Sequence, residues 1–215
     1  MTELATLTQE VLGAFFLGGL LLGVISQRTH FCTMGAISDV VNMGDWTRAR
    51  QWMCAIGVAM IGFAALSDFG WIDPSQTLYA STRLMWLSAL VGGLMFGYGM
   101  VIASGCGNKT LVRMGGGNLK SVVVFVVMGI SAFASMKGIT AVLRANTVDT
   151  VFVDMPAGAN LSALGIPNLG YILGVVLVLW VLRHKDFWTF DSLLAGLGVG
   201  GLVVAMWCVS GHLGF

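Results

Sequence analysis

Val11-Leu12-Gly13-Ala14-Phe15-Phe16-Leu17-Gly18-Gly19-Leu20-Leu21-Leu22-Gly23-Val24-Ile25-Ser26-Gln27 is a run of 17 residues without a charge. A helix needs roughly 17–25 such residues to cross a bilayer. The glycines lie inside the apolar run, where small residues let membrane helices approach one another closely. Five further charge-free runs follow at Gln51–Ser67, Leu84–Asn108, Ser121–Met136, Met155–Leu182 and Ser192–Phe215. Pro156 and Pro167 trim the fifth run, so its helix is predicted to start near Asn168. The expected fold is all-α. It is a polytopic membrane protein of about six transmembrane helices plus two short re-entrant or broken helices in a repeated arrangement.

The composition agrees. Of 215 residues, 57% are hydrophobic and 10% charged, against about 25% charged in a soluble domain. So few charges cannot clothe a water-facing surface. In a bilayer the lipid tails are the solvent for the outer faces. The net charge of +1 carries no basic excess, which argues against a nucleic-acid partner. The chain has no Walker A loop, no dinucleotide-binding fingerprint and no HExxH pair. Cys32, Cys54, Cys106 and Cys208 show no CxxC spacing, so neither a zinc site nor a thioredoxin-like motif is indicated. No metal and no cofactor are expected. The first ten residues hold two acids and no Lys or Arg, unlike a secretory signal, so the first run reads as a permanent span.

Two connections are too apolar for plain loops and too short for spans. Thr29–Asp45 follows the first run, and Gly105–Gly117 follows the third. Both read as short re-entrant or broken helices, which membrane proteins tolerate only inside protein or around a polar cavity. They also form a repeat. Gly18, Gly19, Leu20, Gly23 and Cys32 match Gly92, Gly93, Leu94, Gly97 and Cys106, always at an offset of 74. Repeats that meet at a midplane site are a known transporter arrangement. The expected organisation is a single membrane domain over 1–215. Repeat one covers about 11–68 and repeat two about 84–136, with two further spans at about 168–185 and 190–215.

Cys32 and Cys106 are the leading candidates for chemistry. Each follows a glycine-laced helix and opens a segment with helical character. A helix N-terminus favours anions and eases thiol ionisation. The polarisable sulfur, a weak S–H donor, suits a sulfur-bearing anion better than a hard oxyanion. The plainer reading is that both are small buried hydrophobes. Gly35, Gly105 and Gly107 flank the cysteines and allow positive φ and close backbone approach to a ligand. Asn108 can donate to an anion. An ordinary helix C-cap and turn accounts for the 105–108 stretch equally well. Lys109, Arg28 and Arg113 could draw an anion into a mouth, or simply snorkel to the interface. Asp39 could cap the short helix or accept from a lining donor, or be a solvated loop acid. His30 is one residue removed from Cys32, too short a spacing to place the two reliably together. Cys54 and Cys208 read as packing.

Basic residues favour the connections after spans one, three and five, namely Arg28, Arg48, Arg50, Lys109, Arg113, Lys120, Arg183 and Lys185. By the positive-inside rule these face the cytoplasm, with the N-terminus outside. The long connection after span four carries only Lys137 and Arg144.

The stretch Gln27-Arg28-Thr29-His30-Phe31-Cys32-Thr33-Met34-Gly35-Ala36 resembles the first cysteine motif of the YeeE/YedE-like sulfur transport family. Gly105-Cys106-Gly107-Asn108-Lys109-Thr110-Leu111-Val112-Arg113 resembles the second, and Asn118-Leu119-Lys120-Ser121 is also similar. The resemblance implies an inner-membrane permease, not an enzyme, for thiosulfate or a related sulfur or selenium species. It implies an hourglass of helices in which thiols at Cys32 and Cys106 pass the anion along by S–H···S contacts. Longer members carry a further GCxxGQG-like motif with a third cysteine, which is absent here. The expectation is therefore a fragment, or a half-size protein completed by a second subunit. The other readings are a membrane thiol-redox or persulfide-handling protein, and an anchor for a soluble sulfur-carrier protein.

Overall fold

The computed structural model describes residues 2–72, 83–154 and 168–213, with side chains from residue 7 to residue 211 within them. The chain divides into two compact units, Met1–Thr77 with Leu164–Phe215, and Leu78–Ala163.

In the first unit, α1 (Thr2–Thr29) breaks and leads into the short α2 (Thr33–Met43), and α3 (Thr47–Asp68) follows. The later part of the chain adds α8 (Leu169–Leu182) and α9 (Phe190–Leu193). From α9 the helix continues through a π turn at Leu194–Gly198 into α10 (Val199–Leu213). α3 is central, packed by α8, α10, α2 and the π turn. Its crossing with α8 needs two glycines. A Cβ on Gly57 would lie 2.9 Å from the Gly174 carbonyl oxygen, and one on Gly174 would lie 2.9 Å from that of Gly57. Backbone meets backbone here, as small residues permit between membrane helices.

Two small cores hold the unit. Phe31, Ala55, Ala195 and Val199 form one, with Leu22, Ile25 and Trp52 against it. Cys54, Val181 and Phe187 form the other. A buried polar tie joins them, in which Gln51 Nε2 donates to Ser192 Oγ at 3.2 Å. Two ion pairs, Arg28–Asp191 at 3.2 Å and Arg50–Asp186 at 3.3 Å, fasten the α1 and α3 ends to the segment around α9.

In the second unit, α4 (Trp86–Ile102) breaks into the short α5 (Gly107–Gly115), followed by α6 (Leu119–Lys137) and α7 (Ile139–Thr147). α5 and α7 both pack on α6. Two-residue strands, β1 (Arg83–Leu84) and β2 (Val153–Asp154), pair antiparallel. α4 buries no residue and exposes Leu90, Leu94, Met95 and Phe96. That surface suits hydrocarbon rather than water.

The chain is thus an all-α multi-pass membrane protein. Among the described residues five stretches are long and apolar enough to cross a membrane: Leu7–Met43, Thr47–Asp68, Trp86–Gly115, Leu119–Lys137 and Phe190–Gly211. The fifth expected span corresponds to α8, a shorter apolar helix of 14 residues. It starts at Leu169, one residue past the predicted Asn168, which sits as its N-cap in the left-handed region with φ 61. Pro156 and Pro167 lie outside the described residues. The connection after span four is not a plain loop, because α7 occupies its first part.

Candidate functional site

The two cysteine segments share one backbone device, residue for residue, at the 74-residue offset. α1 ends where His30 takes φ 52, and the Phe31 N–H donates to the Ser26 carbonyl at 3.2 Å. α4 ends where Ser104 takes φ 55, and the Gly105 N–H donates to the Met100 carbonyl at 3.1 Å. A single left-handed residue closed by an N–H five residues on is the Schellman way of stopping a helix. Non-glycine residues seldom adopt that φ. In each case the chain then turns extended, and the cysteine becomes the N-cap of the short helix. Its carbonyl takes the first helical bond, from Ala36 N–H at 2.9 Å and from Thr110 N–H at 3.0 Å.

The positive φ therefore falls on His30 and Ser104, not on the flanking glycines as the composition suggested. Gly35 and Gly105 are instead places of close approach, while Gly107 has only an ordinary contact with Met128. The reason is geometric. The left-handed position falls just past each helix, two before the cysteine, and both glycines of the second motif lie beyond it.

Around Cys32 the surroundings are dense. The residue is 5% exposed, and Sγ accepts the Gly35 N–H at 3.5 Å. Phe31 is buried and stacks on Trp52 with ring centroids 4.5 Å apart. Gly35 lies under the Arg48 side chain, whose Nη1 is 2.6 Å from where a Gly35 Cβ would stand. Arg48 Nε pairs with Asp39 Oδ2 at 3.2 Å. Asp39 is not the solvated loop acid of one sequence reading. It sits on α2 and is buried. Asp45 prepares the start of α3 by accepting the Thr47 hydroxyl at 2.6 Å and its N–H at 2.9 Å. The hydroxyl bond above all, then the backbone bond and the nearby Arg50 and Arg48, hold the Asp45 carboxyl below its ordinary pKa.

Cys106 is 6% exposed. Its helix buries Thr110, whose hydroxyl donates back to the Cys106 carbonyl at 3.1 Å. Gly107 faces Met128 of α6, with the methyl carbon 3.6 Å from an imagined Cβ. Lys109 lies along buried Gly105, its Cδ 3.1 Å from the position of a Cβ there. Arg113 Nη1 donates to the Ser104 carbonyl at 3.1 Å, closing α5 back onto the break that precedes it. Asn108 stands in the first turn of α5. Cys54 is wholly buried in the α3 core, and all four cysteines are free thiols. Among the described residues no group of His, Cys, Asp and Glu could hold a metal ion.

The structure thus brings Cys32 together with Gly35, and Cys106 together with Gly105, Gly107, Asn108 and Lys109. The two cysteines belong to different units. Arg48, read from sequence only as a topology-setting charge, is the residue that sequence reasoning missed. Chemically, each segment offers a buried thiol at a helix N-terminus, an environment that favours small anions.

The profile of the family described as "Sulphur transport" matches residues 28–215. A thiosulfate transporter, TsuA of Escherichia coli, is 33% identical over 115 residues, covering 53% of this chain and 31% of that protein. TsuA of Spirochaeta thermophila is 29% identical over 120 residues, covering 56% and 35%. A probable transporter of Escherichia coli, YedE, is 29% identical over 112 residues, covering 51% and 26%. The matched part spans only about a third of the length of these relatives. Residues 28–215 take in both cysteine-capped helices and every later element, so the chain belongs to the sulphur transport family.

Proposed function

We propose that the chain serves as a permease for a small sulfur-containing anion, thiosulfate first, in the inner membrane of the cell. Cys32 and Cys106 are the groups the anion touches. Each thiol donates a weak S–H hydrogen bond to the terminal sulfur of the anion. The N–H groups of the first turns of α2 and α5, with Gly35, Gly105, Gly107 and Asn108, replace part of its hydration. Lys109 adds positive charge at the second cysteine. No bond is made or broken, so the protein acts as a carrier and not as an enzyme. Binding has to be strong enough to admit the ion and weak enough to release it. The chain works as two repeats, about 11–68 and 84–136, with the later spans buttressing the first. A second half-size subunit, or further chain of the length its relatives have, completes the pathway.

The observation that carries this reading is the duplicated device itself. A helix stopped by a strained residue, a buried cysteine cap and a short helix recur at an offset of 74 residues, in a chain of this family. Uptake of radiosulfur-labelled thiosulfate tests it, in cells that lack thiosulfate importers of their own. Loss of uptake in both Cys32→Ala and Cys106→Ala supports the reading. Unchanged uptake in either variant removes that cysteine from the pathway. Uptake of selenium species but not of thiosulfate would keep the site and change the substrate.

A further inference from the structure

Each cysteine-capped helix has a basic side chain packed against a glycine of its cysteine segment, and that side chain arrives by two different routes. At the 74-residue offset, Lys109 of α5 corresponds to Gly35 of α2, and Gly105 corresponds to Phe31. Lys109 folds back along its own helix, with its Cβ, Cγ and Cδ between 3.1 and 3.4 Å from where a Gly105 Cβ would be. The bare glycine leaves room for that stem to run toward the Cys106 end. Phe31 leaves no such room, because its ring is 6% exposed and stacked on Trp52. A lysine at position 35 would meet that ring. The sequence places a glycine there instead, and Arg48 reaches over from α3 to fill the space. The atoms nearest the imagined Gly35 Cβ are Arg48 Nη1 at 2.6 Å and then Cys32 Cβ at 3.6 Å.

Arg48 is also held in place. Its Nε is fixed on Asp39 Oδ2 at 3.2 Å, and the Asp39 side chain is 10% exposed. Among the described residues Arg48 pairs with Asp39 alone. Its Nη1 lies against Gly35, in the first turn of the helix that Cys32 caps.

We infer that Arg48 is the anion-positioning residue of the Cys32 segment, supplying from α3 the charge that Lys109 supplies to Cys106 from within α5. This rests on the reading that the two thiols meet an anion. The competing account is that the pair only ties α2 to α3. A charge-sensitive readout at Cys32 separates the two accounts.

The test uses the full chain in membranes and two methanethiosulfonate reagents of similar size, the anionic sulfonatoethyl and the cationic trimethylammonioethyl. In each reaction the Cys32 thiolate displaces methanesulfinate and forms a mixed disulfide, followed by mass spectrometry of the Cys32 peptide. The ratio of anionic to cationic rates reports the local charge. Arg48→Lys keeps the ratio. The pair R48Q/D39N is neutral and retains a side-chain hydrogen bond; because it removes a guanidinium and a carboxylate together, it lowers the ratio about threefold, less than one uncompensated unit charge would. Gly35→Ala is the second variant. Its Cβ displaces the flexible guanidinium, and the ratio falls part of the way. Cys54, wholly buried in the same unit, staying unreactive in the same samples shows that the fold has survived. A Cys32 ratio untouched by R48Q/D39N and by Gly35→Ala overturns the inference, and so does a Cys32 that reacts with neither reagent. A normal charge preference without thiosulfate uptake would remove the transport reading and leave this one standing.

Discussion

The Cys32 sulfur accepts the backbone N–H of Gly35 at 3.5 Å, so one thiol caps α2 and faces the same helix end where an anion would dock. Capping and ligand contact can be separated by substitution. Cys32→Ser keeps an acceptor for the Gly35 N–H, and serine is a preferred N-cap. Its stability in detergent should stay within about 0.5 kcal/mol of the native protein, whereas Cys32→Ala should lose about 1 kcal/mol. Thiosulfate uptake should fall at least about tenfold in both, because an O–H lacks the soft sulfur. Thermal unfolding beside uptake on the same preparations separates the two effects.

Gly57 and Gly174 set how closely α3 and α8 pack. A Cβ at either position meets a carbonyl oxygen at 2.9 Å, and backbone cannot swing aside. Gly174→Ala should therefore destabilise the first unit by about 1–3 kcal/mol, the usual cost of overpacking. Gly18→Ala should cost less, since the obstacle there is the flexible end of Met206. Melting temperatures in detergent rank the two. Equal losses would mean that the crossing relaxes as a body.

Gln51 gives its amide hydrogen to Ser192, and its own Oε1 is buried without a partner. Ser192→Ala leaves the whole Gln51 amide unsatisfied and should cost about 1–3 kcal/mol. Gln51→Leu together with Ser192→Ala should recover much of that, because removing both partners is close to neutral. A double-mutant cycle on unfolding measures it.

Asp45 supplies a pH-dependent contribution of known sign. Its carboxyl sits below the ordinary value because Thr47 donates its hydroxyl and its N–H. A depressed acid contributes stability that is fully present above the unfolded pKa, about 3.9, and is lost as pH falls through the lower folded value. Amide exchange at Arg48–Gln51 should therefore accelerate below about pH 4 and stay flat from pH 5 to 8. In Asp45→Asn that acid-side acceleration should vanish. Its persistence would assign the change to another group.

Much of this was legible in the sequence, for identifiable reasons. Charge-free length alone located α3, α4, α6 and α10, because a bilayer imposes that length on a helix. The matched cysteines marked the two breaks, because each one caps the short helix that follows its break. The left-handed residues escaped notice because His30 and Ser104 carry no glycine signature. α7 escaped for a different reason. Its sequence Ile139–Thr147 is too short to read as a span, and the helix packs on α6. Arg48 escaped because its partner is a gap. Only alignment of Gly35 with Lys109 reveals that a side chain belongs there, and only the tertiary structure shows which one fills it.

The most direct measurement is radiosulfur-labelled thiosulfate uptake by the chain at its full natural length, native and with Cys32→Ser and Cys106→Ser, at matched membrane levels. The account predicts saturable uptake by the native protein and a fall of about tenfold or more in each variant, with the unfolding temperature of the Cys32→Ser protein unmoved. Native-like uptake in both serine variants would contradict it, since the sulfur atoms would then have no part in passing the anion.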